Sequence, residues 1–423
     1  MRRVVFVCRS AAGESLRSAN ALKKLDRVEL FGIVEEPVDD VFLEVVQVAN
    51  VHDADELIAA AQKFGPLDHI VTAQETLLEP VAKTREALGI PGMSSAIVRQ
   101  TLDKSLLKST LRRAGIQTPP DRVVTSKSDA VRFLSEFGFP IMLKPLSGSG
   151  ALATLLIHTA VDLDHALNLM QPSTEHPVLA EAYLHGQELC FDTITIDNEP
   201  QLHSICLYYP SILEAIEHPD QQWTCLMPRE MDDDLYGDFI EQGLAAVRAL
   251  SVGNSFTHME GFLDADGRLL GFTDATLRPA GARIGPMLGF AYDIDPYRAW
   301  ARVVVDGCFD GPWERKYAVG TIFLRGTGSG VVERVDGIDT IKSDLIVDAR
   351  WPKIGTQKSD TYTGDGYITI RHPDTSHVKN ALEFIRNTIK LSYSGTETSL
   401  QWKDRFQNYQ KLNRPAWEVG GSQ

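Results

Sequence analysis

The first hundred residues alternate short apolar runs with segments whose apolar positions recur every three or four residues. "RVVFVC", "VELFGIVEE" and "DHIVTA" read as strands, and "ESLRSANALKKL", "DELIAAAQKFG" and "LLEPVAKTREALGI" as helices. That alternation predicts βαβ units on a parallel sheet. Glu35 or Glu36, after the second strand, would suit the ribose of a dinucleotide. The first loop, "CRSAAGES", nevertheless has one Gly where the dinucleotide turn needs three.

In "TLDKSLLKSTLRRAGIQTPPD" the spacing of Leu102, Leu106, Leu107 and Leu111 predicts one helix, stopped at Gly115 and leading into a Pro-containing linker. A domain boundary is expected near residue 100. A compact unit over about 120–180 follows: the helix "SDAVRFLSEFG", two strand-like runs flanking "KPLSGSG", and the helix "DLDHALNLM". From "HPVLAEAYLHGQELCFDTITIDNEPQLHSICLYYP" onward the pattern turns antiparallel, interrupted by the amphipathic helix "DFIEQGLAAVRALSVG". Residues 312–372 are a further mostly β portion, followed by the helical "HVKNALEFIRNTIKL" and a polar tail.

Composition narrows the partners. The chain has 423 residues, of which 43% are hydrophobic, and its net charge of -15 is spread along the sequence without a Lys/Arg stripe. Nucleic acid is therefore not an expected partner. "MRRVVFVCRS" has too few apolar residues in a row for a signal core or a membrane span, so the sequence reads as cytoplasmic, with no membrane partner. Five isolated cysteines without CxxC spacing suggest neither a disulfide framework nor a zinc knuckle and read as small buried hydrophobes.

Two stretches carry chemistry. In "KPLSGSG" a β-hairpin turn with a solvated lysine stands beside a sharper reading, an anion cradle in which Lys144 adds charge against phosphate oxygens. In "SFTHMEGFLDADGRLLGFTDATLRPAGARI" a three-residue loop over 265–267, with Gly267 left-handed, pairs His258 with Asp274 and Glu260 with Phe272. One sheet face then carries His258, Glu260, Asp274, Thr276 and Arg278, with the two carboxylates diagonal at roughly 7–8 Å. A solvated ion-paired face is the plain alternative. Sharing a hard divalent cation such as Mg²⁺ is the chemical one.

Taken in order, these features resemble the ATP-grasp superfamily of carboxylate-amine ligases. The likeness is greatest to L-amino acid ligases, the dipeptide synthetases, through "HMEGFL" and "DATLRPAGARI". The resemblance implies an α/β and α+β ATP-grasp fold: a Rossmann-like domain over 1–100, a core over 101–311 with a mobile lid at about 120–180, and an α+β portion with a helical tail over 312–423. It implies ATP and Mg²⁺ as cofactors and an acylphosphate route from a small carboxylate and an amine to an amide, with a homodimer left open. Lys104 and Lys144 match phosphate-binding lysines, and Ser147, Gly148 and Ser149 the phosphate loop. Glu181, Ala182, Tyr183 and Leu184 match the adenine hinge, Glu188 the ribose acid, Glu260 and Asp274 the metal ligands, and Arg278 the arginine beside the γ-phosphate and reacting carboxylate, with Gly281 also expected to bind substrate. Asp274 stands where Glu is usual, and Thr276 where many members place Asn. His258 orients a carboxylate, accepts a proton, or hydrogen-bonds Asp274. Glu75 binds a substrate ammonium or has a capping or surface role. A biotin-carboxylase-like reaction and a non-catalytic nucleotide-binding module are the alternatives.

Overall fold

The computed structural model describes residues 1–38, 40–148, 153–231, 235–341, 343–396 and 402–412. β1 (Arg2–Cys8), β2 (Val28–Val34), β3 (Glu44–Gln47) and β4 (His69–Val71) form a parallel sheet in the order β3-β2-β1-β4. The periodicity predicted a parallel sheet containing β1, β2 and β4; the short edge strand β3 and the strand order were not part of that expectation. Arg9 and the backbone amide of Val51 occupy the Glu35 carboxylate, so it is part of the sheet's rim.

Residues 95–113 form two helices rather than one continuous helix, Ser95–Leu102 and Lys104–Arg113, broken at Asp103. The Asp103 carboxylate accepts the amides of Ser105 and Leu106, an N-cap that starts the second helix. The face this helix buries is Lys104, Leu107, Lys108, Thr110 and Leu111, whereas Leu106, expected inside, is 41% exposed.

β5 (Asp121–Val124), β6 (Ile141–Pro145), β7 (Leu155–Ile157) and β8 (Val178–Ala182) make a small antiparallel sheet, ordered β5-β8-β6-β7. The helices Lys127–Phe137 and Ala160–Met170 cover it and supply much of its apolar core. "KPLSGSG" thus begins at the end of β6 and leads toward the antiparallel β7.

The largest sheet contains β9 (Gln187–Ile196), β10 (Glu199–Tyr209), β11 (Trp223–Met227), β12 (Ser255–Leu263), β13 (Leu269–Thr276) and β14 (Ala318–Leu324). β15 (Val332–Asp336) lies apart, and β16 (Ile346–Arg350) and β17 (Gly366–His372) complete the large sheet. Its order is β13-β12-β9-β10-β11-β14-β17-β16, while β15 pairs with β18 (Lys390–Tyr393). The C-terminal β portion therefore extends the same sheet that holds the β12–β13 hairpin. No helix among the described residues is long and apolar enough to cross a membrane.

Candidate active site

The β12–β13 hairpin sets the geometry, and its register corrects the expected one. Gly267 is left-handed as expected, with φ +79°, and Leu263 pairs with Leu269 next to the loop. Leu270 and Thr273 are then skipped, so Glu260 lies directly opposite Asp274, not diagonal to it, and His258 lies opposite Thr276, not Asp274. Each bulge adds one residue to β13 and inverts the alternation of faces; two bulges restore it. The chemical residues consequently keep a common face although their partners change. Thr273 turns its carbonyl out of the ladder, and Lys108 donates to it at 2.8 Å.

A cavity of about 120 Å³ lies between this hairpin and the small sheet. Lys104, Lys144, Gly148, Glu181, Ala182, Tyr183, Leu184, Glu188, Glu260 and Asp274 line it, ten of the residues that the resemblance assigned. Lys104 Nζ is 2.7 Å from Asp274 Oδ2 and donates to the Gly148 carbonyl at 3.1 Å. Burial works against its charge, but Asp274 holds its pKa above the ordinary value. Lys144 and Lys108 both pair with Glu181, at 3.0 and 2.7 Å. Burial pushes Lys108 down to about 8 despite that pairing; burial would raise Glu181, but the two lysines keep it low. The Glu181 side chain is thus a link between two cations, and only its strand position suits the hinge role. Glu188 accepts the Ile212 amide at 2.6 Å, and burial together with the charge of Glu260 pushes its pKa up to about 8.

A second cavity, of about 70 Å³, adjoins the first across Glu260, Asp274, Ile212 and Tyr362. Its wall includes Glu75, Trp223, His258, Thr276, Arg278 and Gly281. Arg278 donates to Glu75 at 2.7 Å, so Glu75 is the arginine's partner rather than a surface acid. His258 Nδ1 is 2.9 Å from Asp192 on β9, and its Nε2 is 3.5 Å from Glu260. The structural bond of His258 is therefore to Asp192, not to Asp274. Burial would depress the imidazole's pKa, but Asp192 raises it well above the ordinary value. Cys190 in turn donates its thiol to Asp192 at 3.1 Å. Of the five free cysteines four are buried as expected, and Cys308 is half-buried.

A larger cleft of about 790 Å³ between the N-terminal sheet and the small sheet is lined by Glu75, Ser147 and Gly148, sharing Gly148 with the first cavity and Glu75 with the second. Ser147 lines only this cleft among the three, and Ser149 lies outside the described residues.

Glu260 and Asp274 present hard oxygen donors side by side on one sheet face, the ligand type Mg²⁺ takes when substrate phosphates complete its shell. The buried Thr276 hydroxyl has no hydrogen-bond partner among the described residues. Sequence reasoning missed Lys108, Asp192 and Tyr362. Lys108 had one signal, its i+4 spacing from Lys104. Asp192 had none locally, because it meets His258 only through the β9–β12 pairing.

No family model matches the chain. An L-arginine-specific L-amino acid ligase of Bacillus subtilis is 24% identical over 275 residues, covering 63% of this chain and 64% of the relative's length. The crystal structure of an L-amino acid ligase from Bacillus licheniformis superimposes with a TM-score of 0.74 at 16% identity, covering 93% of this chain and 99% of that one. The biotin carboxylase domain of a Hydrogenobacter thermophilus 2-oxoglutarate carboxylase, solved with MgADP and bicarbonate, does so with a TM-score of 0.68 at 16% identity, covering 94% and 91%. The chain therefore has an ATP-grasp fold, shared with these two structures.

Proposed function

We propose that this chain is an ATP-dependent carboxylate-amine ligase, joining an amino acid or small carboxylate to an amine through an acylphosphate. The observation that carries the reading is the meeting of two cavities at Glu260 and Asp274, one lined by lysines and hinge backbone, the other by Arg278, Glu75 and His258. Lys104 and Lys144 receive the nucleotide's phosphates, while Ala182, Tyr183 and Leu184 flank its base and Glu188 its ribose. Glu260 and Asp274 would hold magnesium, which when bound would supply charge neutralisation at the transferring phosphoryl group. A substrate carboxylate oxygen forms the new bond to the γ-phosphorus as the bond to ADP breaks. The amine nitrogen then bonds to the acyl carbon, and phosphate leaves with the electron pair of the acyl–oxygen bond.

The protein's part is positioning and electrostatic stabilisation. Arg278 presents a planar fork of donors to the acyl and phosphoryl oxygens. Glu75, in direct contact with Arg278, takes a substrate ammonium beside it, which favours an amino acid in the smaller cavity. His258, with Nδ1 fixed by Asp192, orients a carboxylate or phosphate oxygen through Nε2.

The test is phosphate release with ATP, Mg²⁺ and pairs of amino acids or small carboxylates, repeated with hydroxylamine. ADP and a hydroxamate of the activated acid are expected. AMP and pyrophosphate would overturn the acylphosphate route, and cleavage that requires bicarbonate instead of an amino acid would transfer the chain to the carboxylating reaction.

A further inference from the structure

The helix Trp402–Leu412 follows the C-terminal β portion in sequence, yet it packs against the small sheet's core. Trp402 and Phe406 lie against that core, and the Trp402 ring stacks on His165 with centroids 5.5 Å apart. Arg405 shares their helix face and is 2% exposed. Its Nη2 donates to the Thr154 carbonyl at 2.6 Å, while Nε has no partner among the described residues.

Thr154 directly precedes β7 and lines the cavity of Lys104 and Lys144. The acid whose charge reaches Arg405 is Glu217, at the end of the short helix Ile212–Glu217, whose Ile212 and Leu213 line the same cavity. Burial pulls the guanidinium's pKa below its ordinary value, with Glu217 opposing. A desolvated guanidinium with so few partners among the described residues is an expensive way to pack a helix; an apolar chain of similar volume would serve that purpose better. What Arg405 adds is a charge-assisted hold on one backbone carbonyl in the cavity wall.

We propose that Arg405 is a positioning residue for the nucleotide: by fixing the Thr154 carbonyl it sets the β7 wall of the cavity that Lys104 also lines, and makes the C-terminal helix part of the nucleotide site. This rests on the reading of that cavity as the ATP site. Arg405→Met in the full chain keeps side-chain volume and removes every donor. Its affinity for MgADP by calorimetry, and its KM for ATP, should weaken about tenfold, with kcat at saturating ATP within about twofold, since the reacting groups are untouched. The melting temperature should hold or rise, because a buried charge has gone. Arg405→Lys, which keeps one donor, should recover most of the affinity. Parent-like affinity in Arg405→Met sinks this proposal alone, as does a loss matched by a fall in melting temperature that Arg405→Lys does not repair. A parent chain that binds no MgADP sinks the ligase reading and this proposal with it.

Discussion

Glu188 shows how one buried side chain couples the cavity of Lys104 and Lys144 to pH. Burial and the nearby charge of Glu260 put its folded-state pKa at about 8, against 4.5 for an unperturbed glutamate. Between those values the folded chain keeps a proton that the unfolded chain has released. Stability from this group is therefore fully present below about pH 4.5 and is lost as pH rises through about 8, with a slope approaching 1.4 kcal/mol per unit, roughly one proton's worth. Glu188→Gln is neutral at every pH, so urea unfolding without nucleotide at pH 5 to 8 should show the parent losing ground to the variant as pH rises. Parallel curves would place the carboxyl's pKa in its ordinary range. That this residue lines the cavity was legible in "LHGQE", since an acid just beyond β8 is a local feature. Asp192 was not, because what matters is its bond to a histidine 66 residues away. Lys108 was hidden differently: a lysine in an apolar helical stripe reads as a solvated end, and only tertiary structure supplies the buried Glu181 that pairs with it.

Among the elements, the β12–β13 hairpin was read correctly at its turn and incorrectly along its strands. The left-handed glycine is a local requirement of the loop, whereas the bulges at Leu270 and Thr273 answer to neighbours far away in sequence. Gly271 makes the point. A Cβ there would stand 2.8 Å from the backbone nitrogen of Pro119 and 2.9 Å from the carbonyl carbon of Thr118. The linker into the small sheet crosses β13 here, tied by the Phe272 amide to the Gln117 carbonyl at 3.1 Å. Backbone cannot yield as a flexible side chain can, so Gly271→Ala should lose about 1–3 kcal/mol of stability in a urea titration, the usual range for overpacking. An unchanged midpoint and slope would mean that the linker shifts freely, and that the bulge is not set by this crossing. The break at Asp103 belongs to the same class of miss: a capping carboxylate outweighed the continuous leucine spacing and placed Lys104 at a helix start, where its ammonium reaches both Asp274 and Gly148.

At the scale of the whole molecule the parallel N-terminal sheet and the antiparallel pattern beyond it were legible because each has its own periodicity, but the way three sheets share one site was not. Lys104 comes from a helix against the large sheet, Lys144 from the small sheet, and Glu181 ties Lys144 to Lys108 of that helix. In this state the cations are neutralised by protein carboxylates, with Lys104 on Asp274 and Lys144 on Glu181. Under the proposed function, polyphosphate would offer Lys104 and Lys144 a denser negative charge and magnesium would offer Asp274 a replacement cation, so loading the site should exchange these partners and draw the two sheets together. Residues 120–180 are proposed to move as that unit, pivoting on the linker after Gln117 and on the chain following β8. Hydrogen exchange should then slow on adding MgATP in two places at once: at the end of β6 around Lys144 to Gly148, and in the Gln117 to Pro120 linker, with the parallel sheet of β1 to β4 unaffected. Slowing at Lys144 alone would reduce the change to local contact with phosphate, and identical exchange at both places with and without MgATP would refute closure of the small sheet over the nucleotide.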